Sequence, residues 1–122
     1  MKSDNIIKQK SLEFAIRIVR LYQYLSEQKK EYVLSKQLLR CGTSIGANIH
    51  EALQGSSTKD FINKLNISLK ESHETDYWLK LLFETNYLTK DEYESINRDC
   101  IEIIKILTSI IKTSKSNFND QS

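Results

Sequence analysis

Apolar residues recur every three or four positions through most of this chain, and polar clusters interrupt them at three places. That period predicts α-helices, and the interruptions predict where they stop. Helix one is expected from about Ile6 or Ser11 to Gln28, before the polar run Gln28-Lys29-Lys30-Glu31. Helix two is expected over Leu34 to Leu53, with Gly55 supplying the positive φ that favours a helix C-terminus. Helix three is expected to start with Ser57 as its cap and Asp60 in its first turn, and to run to about Asn86. Thr89-Lys90-Asp91-Glu92 reads as a capping box, with Leu88 and Tyr93 as a hydrophobic staple, and opens a helix four to about Lys112. Short loops between four helices predict an antiparallel up-down-up-down four-helix bundle spanning residues 1–112, with residues 113–122 as a frayed tail.

The faces of these helices are uneven. Helix four has one apolar side, made by Tyr93, Ile96, Cys100, Ile103, Ile104, Leu107, Ile110 and Ile111. Helix one confines its polar residues to a stripe of Lys10, Glu13, Arg17, Arg20, Tyr24 and Glu27, and is apolar over about 220° of its surface. A helix on the surface of one bundle needs about 100°. Helix three is two-sided as well, with Ile67, Trp78, Leu81 and Leu82 lying away from Phe61, Ile62, Leu65, Leu69, Leu79 and Phe83. Self-association covering the second faces is the economical reading.

Composition narrows the classes. The 122 residues contain no proline and three glycines, too few turn formers for an all-β fold. No apolar run is long enough for a transmembrane span, and the polar first 15 residues do not resemble a signal peptide, so a cytoplasmic protein without a membrane role is expected. In that setting the glycosylation pattern Asn66-Ile67-Ser68 is inert, and Cys41 and Cys100 read as reduced, buried small hydrophobes. The net charge is +2, but residues 1–30 hold seven basic and three acidic residues. Lys8, Lys10, Arg17, Arg20, Lys29 and Lys30, with Tyr24 to stack on a base or sugar, form a candidate nucleic-acid surface, and repetition in an oligomer would multiply its charge. The competing reading is a solvated helix stripe.

Catalytic and metal chemistry find little support. Gly42-Thr43-Ser44-Ile45-Gly46 matches the GxSxG nucleophile elbow, which needs a strand before it and a helix after it. Here Leu34, Leu38, Ile45, Ile49 and Ala52 hold one helical face through the motif, so the glycines read as points of close helix approach. Neither His50 nor His73 completes a Glu-x-x-His pair, and the cysteines and histidines match no short zinc pattern. No metal and no cofactor are expected, and no enzyme activity. A carboxylate does share the core sector of helix three: Asp76, beside Ser72. Gln37, Arg40, Ser44, Asn48 and Glu51 of helix two, with Glu71, Glu74 and Asp76, are expected to form a buried or interfacial polar network. It could serve as a ligand pocket or as a structural layer that fixes register.

The string from Ser35 to Ala52 resembles a known signature, roughly Q-L-x-R-x-x-x-S-I-x-x-N-I-x-E-[AG], carried here by Gln37, Leu38, Arg40, Ser44, Ile45, Asn48, Ile49, Glu51 and Ala52. The block Ser57-x-Lys59-Asp60-Phe61 to Glu71-x-x-Glu74-Thr75-x-Tyr77-Trp78-Leu79 fits as well. Over residues 8–112 the chain resembles the four helix bundle protein family, also called the 23S ribosomal RNA intervening-sequence protein family. The resemblance implies a left-handed up-and-down bundle assembled as a barrel-like homopentamer. It also implies an accessory role in which RNA or DNA, or a reverse transcriptase, is the partner. The function expected is a non-enzymatic oligomeric binding protein contacting nucleic acid or a nucleic-acid enzyme. The alternative is a protein-interaction scaffold with no nucleic-acid role.

Overall fold

The computed structural model describes residues 2–55 and 57–121, and four helices account for nearly all of them. They are α1 (Lys2–Glu27), α2 (Leu34–Leu53), α3 (Thr58–Glu84) and α4 (Lys90–Gln121). Met1 and Ser122, the outer limits of the expected domain and tail, lie outside the described residues. Among the described residues there is no strand, and no helix is long and apolar enough to cross a membrane.

Each helix boundary has a local cause. The Ser57 side chain accepts the Asp60 N–H at 3.1 Å, capping α3. At α4, Thr89 Oγ1 accepts the Glu92 N–H at 3.2 Å and Glu92 Oε1 accepts the Thr89 N–H at 2.8 Å, the reciprocal pair of a capping box. The start of α2 is held from outside the helix. Glu31 accepts the N–H groups of Val33, Leu34 and Ser35 at 3.2, 3.0 and 2.7 Å, satisfying donors that the first turn leaves free. Burial alone would raise the Glu31 pKa, but these backbone donors, with the Ser35 hydroxyl, hold it below the ordinary range.

Two boundaries differ from the sequence pattern. No glycine has a positive φ; Lys30 and Asn86 do, at 56° and 71°. Asn86 is the residue type other than glycine that ends helices this way, and Tyr87 N–H then reaches back to Leu82 O at 2.9 Å. The helix expected to fray after Lys112 continues to Gln121. The segment contains neither glycine nor proline to stop it, and Phe118 lines a shallow hollow with Phe61 near the start of α3.

The helix backbones approach one another in cyclic order: α1 with α2, α2 with α3, α3 with α4, and α4 back to α1, with no close backbone approach across a diagonal among the described residues. Phe14, Ile18, Leu38, Ile45, Ile49, Leu65, Leu79, Ile103 and Leu107 fill the centre and are almost wholly buried. Each such side chain contributes about 1.5–3 kcal/mol over an exposed one. Cys41 and Cys100 are buried and reduced. Burial, first of all, pushes the Cys41 thiol up to about 11 and the Cys100 thiol up to about 12, so both are neutral packing groups at pH 7.

Small residues set how closely the helices lie. A Cβ on Gly42 would sit 2.9 Å from Ile18 of α1, and one on Gly46 would sit 3.3 Å from the Ser11 carbonyl oxygen. The inward face of α3 carries Ser68, Ser72 and Thr75, all fully buried. Ser68 donates to Ile45 O at 2.8 Å, Thr75 to Cys41 Sγ at 3.2 Å, and Cys100 to Ser72 O at 3.4 Å. These short side chains bring α2 and α4 close to α3 with their polar atoms satisfied.

Candidate functional site

The signature residues of α2 lie along its seam with α3. Arg40 is the hub. Its guanidinium donates to Glu71 Oε2 at 3.2 Å, to Glu74 Oε2, and weakly to Gln37 Oε1 at 3.4 Å. Trp78 Nε1 donates to the same Glu74 oxygen at 2.9 Å. Gln37, Arg40, Glu71 and Glu74 are thus joined at the surface, with the Arg40 side chain 50% exposed. Ser44 and Asn48 turn back onto their own helix, donating to Arg40 O and Ser44 O, each at 2.8 Å. Ser44 therefore sits inside a continuous helix, without the strand-to-helix turn of a nucleophile elbow.

Two members of the expected network belong elsewhere. Glu51 is exposed and pairs with Lys64 at 2.8 Å, and that hydrogen bond and charge lower its pKa. Asp76 is half-buried and faces α4, where Asn97 Nδ2 donates to it at 2.6 Å. Its angular sector on α3 is inward as read from the sequence. Which neighbour it meets depends on the ring order, and α4 flanks that side. The polar set is a surface seam, not a buried layer or an enclosed ligand pocket.

The cations of α1 are also placed differently from a free stripe. Lys10 pairs with Glu102 at 2.7 Å, whose hydrogen bond and charge raise the lysine pKa. Arg17 pairs with Asp99 at 2.7 Å and donates to Ser95 O and Ser95 Oγ at 3.2 and 2.9 Å. Both are fixed to α4 by its carboxylates, so they bind the bundle together. Lys29 Nζ lies 5.8 Å from the Tyr24 ring centroid, over the face expected to stack on a base. Arg20 and Tyr24 share a hollow with Asp91 and Glu92, a mixed-charge lining that does not favour a polyanion. Lys8 and Lys30 are exposed, Lys8 at the edge of the α1–α2 groove.

That groove is the most distinctive surface. It encloses about 760 Å³ between Leu12 and Ala15 of α1 and Thr43, Gly46, Ala47 and His50 of α2. Leu12, which lines it, is 58% exposed, and Ile16 and Val19, further along α1, are 44% and 38% exposed. Three large aliphatic side chains on one helix face are the apolar surplus expected of α1. Among the described residues no group of three or more histidines, cysteines or carboxylates is placed to hold a metal ion.

Residues 3–109 match the family described as 23S rRNA-intervening sequence protein. The chain belongs to that family. It is also similar, at 64% identity and a TM-score of 0.89, to a crystal structure of a protein of unknown function from the S23 ribosomal protein family of Bacteroides thetaiotaomicron VPI-5482. That similarity covers 90% of this chain and 98% of the other. No curated protein matches. Of the α2 signature, Leu38, Ile45, Ile49 and Ala52 pack in the core, and Gln37 and Arg40 join the exposed seam with α3.

Proposed function

We propose that this protein is a non-enzymatic, self-assembling binding protein of the cytoplasm whose partner is nucleic acid or an enzyme that acts on it. The observation that carries the reading is the exposed apolar surface of α1, formed by Leu12, Ile16 and Val19, with Leu12 at the edge of a groove lined by small α2 residues. A second copy of the chain covers that face. The arrangement we favour is an antiparallel up-down-up-down bundle of left-handed turn, repeated as a homopentameric barrel. The antiparallel course of α2 and α3 is supported by pairings whose numbers rise along one helix and fall along the next: Arg40 with Glu74, Ile45 with Ser68, Glu51 with Lys64. Family membership supports nucleic acid as the partner class.

Light scattering after gel filtration at micromolar protomer concentration tests the assembly. The wild type is expected at a multiple of 14.3 kDa, and Leu12→Glu with Ile16→Glu is expected to fall to 14.3 kDa while keeping its helix content. A wild type at 14.3 kDa overturns the reading. One observation favours a second reading, a scaffold without a nucleic-acid role: Lys10 and Arg17 are already neutralised by Glu102 and Asp99. An assembled protein that retains no RNA or DNA on a filter at low salt would favour it.

A further inference from the structure

Helix α3 contains five carboxylates and four lysines, and the structure sorts them. Glu71 and Glu74 turn to Arg40 on the α2 side, Asp76 turns to Asn97 on the α4 side, and Lys64 turns to Glu51. What remains on the outer face is Lys59, Asn63, Lys70, His73, Tyr77 and Lys80, with Ile67 among them, all exposed. Their spacings of three, four and seven residues hold one side of an α-helix. The stripe extends about 31 Å at 1.5 Å per residue. Asp60 and Glu84 stand near its two ends, and no carboxylate interrupts it between them. Among the described residues Lys59, Lys70 and Lys80 have no ion-pair partner, in contrast to Lys10 and Arg17 of α1.

We propose that the outer face of α3 is the surface that tracks the phosphodiester backbone of a nucleic acid, a placement that rests on the nucleic-acid reading above. Three ammonium groups spread along a rigid rod, with an amide, an imidazole and a phenol between them, suit a polyanion of regular charge. Contacts of this kind position a strand without reading its sequence. Tyr77, set edge-on to Trp78 with ring centroids 5.2 Å apart, is largely exposed and offers the stripe its one aromatic platform. A lipid surface fits less well, because a helix lying on a membrane inserts an apolar face. The apolar face of α3 is in the core, and Ile67 is the only large aliphatic side chain it exposes.

The test uses the full chain, with 30-base-pair RNA and DNA duplexes and phosphatidylserine vesicles as probes. Lys59→Gln, Lys70→Gln and Lys80→Gln are combined in one variant, and Lys10→Gln with Arg17→Gln in another. Each lost phosphate contact lowers the salt slope by about 0.9. Three lost contacts reduce the fall in duplex affinity between 50 and 200 mM salt by about 40-fold per protomer. The α3 variant is expected to show that flattening with its oligomer mass unchanged, and the α1 variant to bind duplex as the wild type does. Equal duplex binding by wild type and the α3 variant overturns the proposal, as does a change in oligomer mass in the α3 variant. Vesicle binding as strong as duplex binding also overturns it. If the wild type binds neither duplex, both this placement and the nucleic-acid reading fail. If only the α1 variant loses binding, the nucleic-acid reading stands and the placement on α3 fails.

Discussion

Gly42→Ala puts the close approach of α1 and α2 to a quantitative test. In an open helix interior the change would stabilise by about 1 kcal/mol, because alanine is the better helix former. Here the new Cβ would lie 2.9 Å from Cγ1 and Cγ2 of Ile18 and 3.1 Å from its Cδ1. Ile18 is fully buried, and a β-branched side chain in a helix has little rotamer freedom with which to yield. Overpacking of this kind costs about 1–3 kcal/mol. The sum is a net change between neutral and about 2 kcal/mol destabilising. The partner variant Ile18→Ala costs about 2–5 kcal/mol alone, from lost burial and the cavity it leaves. In that background the obstruction is gone, and Gly42→Ala should stabilise by the full ~1 kcal/mol. The coupling energy is therefore expected at about 1–3 kcal/mol. Urea unfolding of the four proteins measures it, at one fixed protomer concentration because assembly shifts apparent stability. If Gly42→Ala stabilises equally in both backgrounds, within about 0.5 kcal/mol, the glycine is not a contact point and the packing argument is wrong.

Three further outcomes follow from the same geometry. Arg40→Ala should cost no more than about 1 kcal/mol in urea unfolding, because its ion pairs stand at the surface; a loss of 3 kcal/mol or more would place the seam in a buried interface. Glu31→Gln should destabilise by about 0.5–2 kcal/mol through the weakened cap of α2. Because the folded pKa of Glu31 lies below its ordinary value of 4.5, its contribution is complete above that pH and is lost as pH falls through the folded value. The acid limb of the wild-type stability profile should accordingly be steeper than that of Glu31→Gln, and identical limbs would exclude the cap. Cys41 and Cys100 should both resist a thiol reagent in the native protein at pH 8 and both react after unfolding, as their buried, raised pKa values require; native labelling at the unfolded rate would contradict this.

Much of the fold is legible in the sequence because its causes are local. Ser57, Thr89 and Glu92 satisfy backbone donors within three residues, so residue type and spacing are enough to read them. The single apolar side of α4 is likewise a periodicity, and Ile96, Cys100, Ile103, Leu107, Ile110 and Ile111 are buried as it requires. What escapes the sequence is set by neighbours. Glu31 sits in a polar run that reads as the end of one helix, yet it caps the next one. Asp76 and the α1 cations have clear angular positions, but position on a helix does not say which helix flanks it. Arg17 has a cation's signature for phosphate and an ion pair's geometry with Asp99. The one available clue was the acidic side of helix four, where Asp99 and Glu102 repeat at the three-residue spacing that faces a cationic neighbour. Ser68 and Thr75 were hidden for a related reason, although Ser72 could be placed in the core sector. Small polar residues look like a solvated stripe until their hydroxyls are seen bonded to carbonyl and sulfur acceptors in the core.

The cyclic order of the helices gives these surfaces different tasks. α1 and α3 stand diagonally across the bundle, with no close approach of their backbones. α1 is tied to α4 by ion pairs and to α2 by the glycine contacts, which leaves its aliphatic face exposed, with Leu12 at the edge of the α2 groove. α3 is tied to α2 by the Ser68 hydroxyl and Arg40, and to α4 by the Ser72 carbonyl, which accepts the Cys100 thiol, and by Asn97, which leaves its outer side to the lysines. Assembly through α1 would thus leave the α3 stripe outward on every copy. A stripe of three cations binds a duplex weakly when alone, and several held on one rigid particle act at high effective concentration. Breaking assembly with Leu12→Glu and Ile16→Glu would then weaken duplex binding without altering the salt slope per protomer. Neutralising α3 would flatten the slope without altering the mass. The two surfaces are separable because the bundle places a helix between them on either side.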